Sequence, residues 1–276
     1  MLERWQNPPV AKLSLAFGLL LLALVAASPA AEARKLFLEV NAPEGNRVIV
    51  VNASKDGALR LGRSFETRGR GTGGNLENQG ALAVGRGGTR LYAVNAASNS
   101  ISAFTIGRRG LHLFDRSLSG GVEPVSLDVR NDRLYVVHAG EPSNVTGFKV
   151  SKRGGLSPLP GATRQLSAPS AGPAQVGFSP DGRVLAVTER ITHKVLAFPL
   201  SASGPRAPFI LDSAKPRPFG FDFHGNNLVV SEAGADQNLG ASSYRLGRNR
   251  RLRLVSSEVI PGQRGACWTA ITPDGR

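Results

Sequence analysis

Apolar residues along this chain come in short runs separated by polar turns, and the runs recur about every 45 residues. The apolar end of one short strand appears at Val84, Val129, Phe178, Phe223 and Ile271, spaced by 45, 49, 45 and 48 residues. A second strand follows each turn: Leu91-Tyr92-Ala93-Val94-Asn95, Leu134-Tyr135-Val136-Val137-His138, Leu185-Ala186-Val187-Thr188-Glu189 and Leu228-Val229-Val230-Ser231-Glu232. A third ends on Phe104, Phe148, Phe198 or Tyr244, and a Gly-containing or basic turn leads to a fourth. No stretch sustains a 3.6-residue period, so helices should be nearly absent. Short strands in fours, at a fixed long period, are the signature of β-propeller blades. A β-sandwich would not need that period.

The fold expected is therefore all-β, a propeller of four-stranded blades. Four blades are complete. An opening copy lacks its first strand and covers Phe37–Asn41, Val48–Val51 and Ala58–Leu61. A sixth unit begins at Trp268 and offers only a first strand and turn, ending at Asp274-Gly275-Arg276. About five blades are present, and the chain reads as a C-terminally truncated ring with exposed edges and apolar faces. The alternative is a five-bladed closure in which Ala266–Thr272 supplies an inner strand beside Phe37–Asn41.

Ahead of the repeat, Arg4 and Lys12 flank an apolar run of 15 residues from Leu13 to Ala27, followed by Ser28-Pro29-Ala30 and Ala31-Glu32-Ala33. That order marks a secretory signal peptide, and the run is short for a membrane span. Residues 1–33 are read as a signal cleaved after Ala30 or Ala33, with an uncleaved anchor as the alternative. Residues 34–276 are read as the propeller domain, periplasmic or secreted, with no later apolar run of membrane length. The single cysteine, Cys267, allows neither an intramolecular disulfide nor a thiolate metal cluster.

The segments Asn78-Gln79-Gly80-Ala81-Leu82, Gly121-Val122-Glu123-Pro124-Val125-Ser126-Leu127, Pro173-Ala174-Gln175-Val176-Gly177-Phe178-Ser179-Pro180-Asp181-Gly182 and Pro218-Phe219-Gly220-Phe221 resemble the lactonase family of seven-bladed propellers. That family includes the propeller-type 6-phosphogluconolactonases and fungal muconate-lactonising relatives. The resemblance runs from about Phe37 to Arg276. It implies seven blades and hydrolysis of a sugar-derived or other anionic lactone, with no metal or organic cofactor. The chain departs from the family in being exported, which separates it from cytoplasmic sugar phosphates, and in being about two blades short. Leu91-Tyr92-Ala93-Val94-Asn95 also resembles non-enzymatic surface propellers with Tyr-Val-Thr-Asn repeats, so a non-catalytic envelope-binding propeller, or an inactive fragment, is the rival reading.

Propeller topology brings the ends of the second strands and the leads into the first strands to one mouth of the ring. These positions carry His138, Glu189, Glu232 and Arg217 as candidate catalytic residues. Gln79, Asn95, Glu123 and Gln175 are candidates for binding substrate. Opening a lactone needs a base to activate water and a donor or cation for the developing oxyanion. Glu189, Glu232 or His138 would be the base, and Arg217 or Gln79 the electrophilic partner. The plainer alternative is that each of them is a hydrogen-bonding residue of a solvated mouth. Gly69-Arg70-Gly71-Thr72-Gly73-Gly74 matches a dinucleotide-loop pattern, but no helix follows it.

The formal charge is +14, and residues 1–33 leave it unchanged, since Arg4 and Lys12 balance Glu3 and Glu32. The bases cluster in hairpin turns: Arg108, Arg109, Lys152, Arg153, Arg248, Arg250 and Arg251, with Arg86, Arg90, Arg133, Arg183 and Arg276 in the other turn set. Both sets belong on the face opposite the candidate site, which would suit an anionic envelope surface. Specific nucleic-acid binding is not expected, because aromatic residues are few at 6% and not interleaved with these bases.

Overall fold

The computed structural model describes residues 34–85, 87–234, 240–259, 265–272 and 274–275. The proposed signal segment and the turn residues Arg86 and Arg276 lie outside the described residues. Twenty-one strands form five antiparallel sheets in chain order. The first holds β1 (Arg34–Glu39), β2 (Arg47–Ala53) and β3 (Leu59–Glu66). The second holds β4 (Leu82–Gly85), β5 (Arg90–Asn95), β6 (Ser100–Gly107) and β7 (Gly110–Leu118). The third holds β8 (Pro124–Arg130), β9 (Arg133–His138), β10 (Asn144–Val150), β11 (Leu156–Pro158) and β12 (Arg164–Gln165). The fourth holds β13 (Pro173–Phe178), β14 (Val184–Glu189), β15 (Lys194–Ser201), β16 (Gly204–Pro205) and β17 (Phe209–Asp212). The fifth holds β18 (Pro218–His224), β19 (Asn227–Glu232), β20 (Ala241–Leu246) and β21 (Leu252–Val259). The helical content among the described residues is one 3-10 turn, Ala96–Ser98.

The second strands read as unbroken apolar runs because both of their faces are covered. Side chains alternate across a strand, so Leu91 and Ala93 pack back against Val48 and Val50 of the first sheet. Tyr92 and Val94 pack forward against Leu127, Leu134 and Val136 of the third. The same exchange joins the third sheet to the fourth through Tyr135, Val137, Leu185 and Val187, and the fourth to the fifth through Ala186, Leu228, Val230 and Tyr244. Blade-on-blade burial is the core of this fold.

The inner strands are stitched to one another by side chains. Asp128 accepts a hydrogen bond from Phe178 N at 2.8 Å. The Gln175 amide spans to Phe221, donating to its O at 3.0 Å and accepting from its N at 2.7 Å. Residues 265–272 repeat this pattern on β18, with Ile271 N donating to Asp222 at 2.8 Å and Gly220 N donating to Cys267 O at 3.0 Å. The sixth unit therefore occupies the place of a next inner strand. It does not complete the first blade, because among the described residues β1 pairs with β2 alone. The β1 edge is open, with Leu36 46% and Leu38 51% exposed. A cleft of about 1030 Å³ separates it from β4, lined by Leu36, Phe37, Leu82, Val84 and Ile106. The alternative five-bladed closure through Phe37–Asn41 is therefore not formed among the described residues, and a cleft lies in its place.

Turns of neighbouring sheets meet at one end of the molecule. Arg90 Nε reaches Arg153 O at 3.0 Å, and Arg133 Nη1 reaches Ser201 O at 2.7 Å. The other end carries the links between the second and third strands and the leads into each inner strand.

Candidate functional site

At that second end a backbone motif repeats. Three inner strands, β8, β13 and β18, are preceded by a left-handed residue: Glu123 at φ 56°, Gly172 at 61° and Arg217 at 58°, each followed by proline. Their carbonyls accept bonds from the residue just beyond the second strand: Ala139 N to Glu123 O, Arg190 N to Gly172 O, and Ala233 N to Arg217 O. The position just beyond the second strand is Ala96, Ala139 and Ala233 in the second, third and fifth sheets and Arg190 in the fourth. The motif needs only a backbone there, so a long cation at Arg190 is surplus to folding. Non-glycine residues with positive φ are uncommon and cluster where function requires them.

Three charges converge here. Arg190 Nη1 pairs with Glu77 Oε2, and Arg217 Nη2 lies 3.7 Å from the same oxygen. Glu77 is itself left-handed, at φ 48°. Its segment crosses between inner strands, with Gln79 N bonded to Ala174 O at 3.0 Å. Arg217 is fixed from behind: its N–H donates to His193 Nδ1 at 3.0 Å and its Nε donates to Ala233 O at 3.2 Å. The Arg190 side chain is only 11% exposed, against 41% for Glu77, and Arg190 Nε is buried without a hydrogen-bond partner. Burial, then the nearby Arg217 charge, pull the Arg190 pKa below its ordinary value. Two guanidiniums against one carboxylate leave a net positive mouth, and the unused Nε–H is a donor without an acceptor. Trp268, 74% exposed, donates at 3.1 Å to the carbonyl of Asn78, the residue after Glu77.

The other candidates are placed elsewhere. Glu189 is buried and accepts from Ser167 N at 2.9 Å, Ser167 Oγ and Thr192 Oγ1. Glu232 is buried and accepts from Ser242 Oγ at 2.5 Å, and burial raises its pKa despite the opposing Ser242 and Lys215. His138 is fully buried against Gly121, and neither ring nitrogen has a well-formed hydrogen bond. Burial takes its pKa down to about 4, only partly offset by Asn144 and Ser119. Asn95 is buried and bonds Ser100 and Ser102. Asn95 and Glu232 turn toward the third strands of their own blades, and Glu189 turns toward Ser167 of the incoming linker and Thr192 of the following turn. Among the described residues no hydrogen bond or ion pair joins any two of His138, Glu189, Glu232 and Arg217. The Gln79 amide holds Thr269, donating to its O at 2.9 Å and accepting from its N at 3.0 Å, as Gln175 holds Phe221. Glu123 takes part through its backbone N–H, which donates to Asn99 Oδ1 at 2.8 Å. Of the proposed set, Arg217 is the member that meets Glu77 and Arg190, while Glu232 faces the Lys215 charge.

The glycine-rich loop is committed to the fold. Gly71 N donates to Ala42 O at 2.8 Å, Gly73 N to Asn41 O at 2.9 Å and Thr72 N to Asn41 Oδ1 at 3.0 Å. A Cβ at Gly69 would collide with Asn95, and one at Gly71 with Asn41. Close approach explains these glycines. Among the described residues no group of three or more His, Cys, Asp or Glu is placed to hold a metal ion.

Comparison with known proteins agrees with this architecture. Residues 44–171 match the family model described as lactonase, 7-bladed beta-propeller. A protein from Lactobacillus plantarum superposes with a TM-score of 0.63 at 18% identity, covering 80% of this chain and 67% of that one. A proposed 6-phosphogluconolactonase from Bacteroides uniformis gives 0.63 at 16% identity, covering 87% and 72%. The periplasmic gluconolactonase of Pseudomonas aeruginosa gives 0.50 at 16%, covering 80% and 82%. At these identities the likeness is one of fold. No curated protein matches the sequence.

Proposed function

We propose that this propeller, exported by its N-terminal segment, opens an anionic, sugar-derived lactone at the Glu77–Arg190–Arg217 mouth. The observation that carries the reading is the pair of guanidiniums converging on one carboxylate, with Arg190 standing where the repeat otherwise places alanine. The lactonase family match over residues 44–171 supports the reaction class.

Both arginines hold Glu77, and a carboxylate so held is a weak base. An arriving anionic substituent takes over the guanidiniums and frees Glu77 to accept a proton from water. The resulting hydroxide adds to the lactone carbonyl, and Arg217, the more exposed of the two cations, stabilises the oxyanion. Collapse breaks the ring C–O bond, and Glu77 returns the proton to the leaving alkoxide. The product is a hydroxy acid. Glu189 and Glu232 stay outside this scheme, because their oxygens are engaged by buried hydroxyls.

The test is lactone hydrolysis by the full mature chain, followed by acid release. Glu77→Gln should lower kcat by roughly 10²–10⁴ with little change in KM, the range for loss of a general base. Unchanged turnover in Glu77→Gln would overturn the assignment. If wild type binds the anion without turnover, the non-catalytic binding propeller is the better description.

A further inference from the structure

The end of the molecule opposite the mouth carries cations that the fold does not use. Some of its arginines are structural. Arg90 and Arg133 bond carbonyls of the next sheet's turns, and Arg130 reaches Pro180 O. Others do no such work. Arg108, Arg109, Lys152, Arg153, Arg183 and Arg248 are exposed. None of their side chains makes a hydrogen bond or ion pair among the described residues. They sit in turns of the second to fifth sheets, so they spread around the ring in two dimensions rather than along a line. Among the described residues the acids at this end include Asp56, Asp132, Asp181 and Asp274, and Asp115, which accepts from Leu156 N at 3.2 Å beside the Lys152–Arg153 turn. Asp181 is already engaged by Ser179 Oγ at 2.7 Å and by Arg183 N at 3.0 Å.

We propose that this face docks the propeller on an anionic lipid bilayer through headgroup phosphates. A broad, flat array of cations fits a plane of charge better than the single backbone of a strand-like polymer. The turns 107–110, 151–155 and 247–251 contain no aromatic side chain, and the rings beside them, Phe65, Phe114 and Phe209, each carry an arginine over one face (Arg63, Arg90 and Arg251) rather than standing open for bases to stack. No large apolar side chain belongs to these turns either, so attachment is electrostatic and reversible, without insertion. Docked this way, the propeller turns the Glu77–Arg190–Arg217 mouth away from the bilayer, toward soluble ligands.

The experiment is co-sedimentation of the full mature chain with vesicles of phosphatidylcholine plus phosphatidylglycerol, and with phosphatidylcholine alone. Binding is expected only to the anionic vesicles. It should fall steeply between roughly 0.05 and 0.5 M salt, as the Debye length shortens from about 14 to about 4 Å. Arg108→Gln with Arg109→Gln, and separately Lys152→Gln with Arg153→Gln, should each weaken binding about tenfold to thirtyfold. Their thermal midpoints should match wild type, since these side chains bond nothing. Arg68→Gln with Arg70→Gln, at the other end, should leave binding unchanged. Equal loss from either end, binding to neutral vesicles, or no vesicle binding would each overturn the proposal. Tighter binding to a single-stranded nucleic acid than to the vesicles would do so in favour of that polymer.

Discussion

Replacing Glu189 by alanine separates a structural role from a catalytic one. The carboxylate is buried and accepts three hydrogen bonds, from Ser167 N, Ser167 Oγ and Thr192 Oγ1. It ties the end of β14 to the linker arriving from the third sheet. Alanine leaves a half-buried amide and two half-buried hydroxyls without their acceptor. Each abandoned group costs roughly 1–3 kcal/mol, and hydroxyls that rotate toward one another recover part of that. A net loss of about 3–5 kcal/mol is expected, a large share of the 5–15 kcal/mol typical of a whole domain. The thermal midpoint should fall by roughly 10 °C for a chain of this size. Glu189→Gln keeps an acceptor for Ser167 N and lets the hydroxyls accept instead, so it should cost about 1–2 kcal/mol. Urea unfolding, read at unchanged m-value, measures both. A Glu189→Ala protein as stable as wild type, but inactive, would refute the structural role and return Glu189 to catalysis.

Three further outcomes follow from buried groups. His138 stays neutral in the fold down to about pH 4, whereas the unfolded side chain takes a proton near 6.5. Stability should therefore fall as pH drops from 6.5 toward 4, and His138→Gln should flatten that limb in denaturation across pH. Glu39 runs the other way: burial lifts its pKa to about 8, despite the Asn46 hydrogen bond at 2.5 Å. The unfolded chain then holds fewer protons between about pH 4.5 and 8, so stability declines through that window, and Glu39→Gln should remove the decline. Asp222→Ala removes the acceptor for Ile271 N. Amide exchange in residues 265–272 should accelerate at least tenfold while that of β13 and β14 stays unchanged, by native-state hydrogen exchange.

The period of apolar runs carries the fold because blade burial imposes it. Tyr92 and Leu91 point to opposite neighbours, so both must be apolar, and the same pair recurs as Tyr135 and Leu134. The site was harder to see. A polar residue ending a second strand satisfies the same pattern whether it faces a cavity, as a catalytic group must, or the scaffold, as Asn95 faces its own third strand and Glu189 the incoming linker. Periodicity places the Cα and leaves the side chain's partner open. Arg217 was legible because it lies in the lead to an inner strand. Arg190 carries a signal in the sequence, a lone arginine where three other blades have alanine at the same repeat position. Glu77 left none, because the segment carrying it crosses the ring and has no counterpart in the other blades.

The most direct measurement compares kcat/KM for an anionic sugar lactone with that for its uncharged counterpart, in wild type and in Arg217→Met. One charge-assisted contact contributes about 1.5–3 kcal/mol, or roughly 10- to 100-fold. Wild type should prefer the anionic lactone by such a factor, and Arg217→Met should lose at least tenfold of that preference. An unchanged preference in Arg217→Met, with activity intact, would contradict the assignment of the mouth as the site.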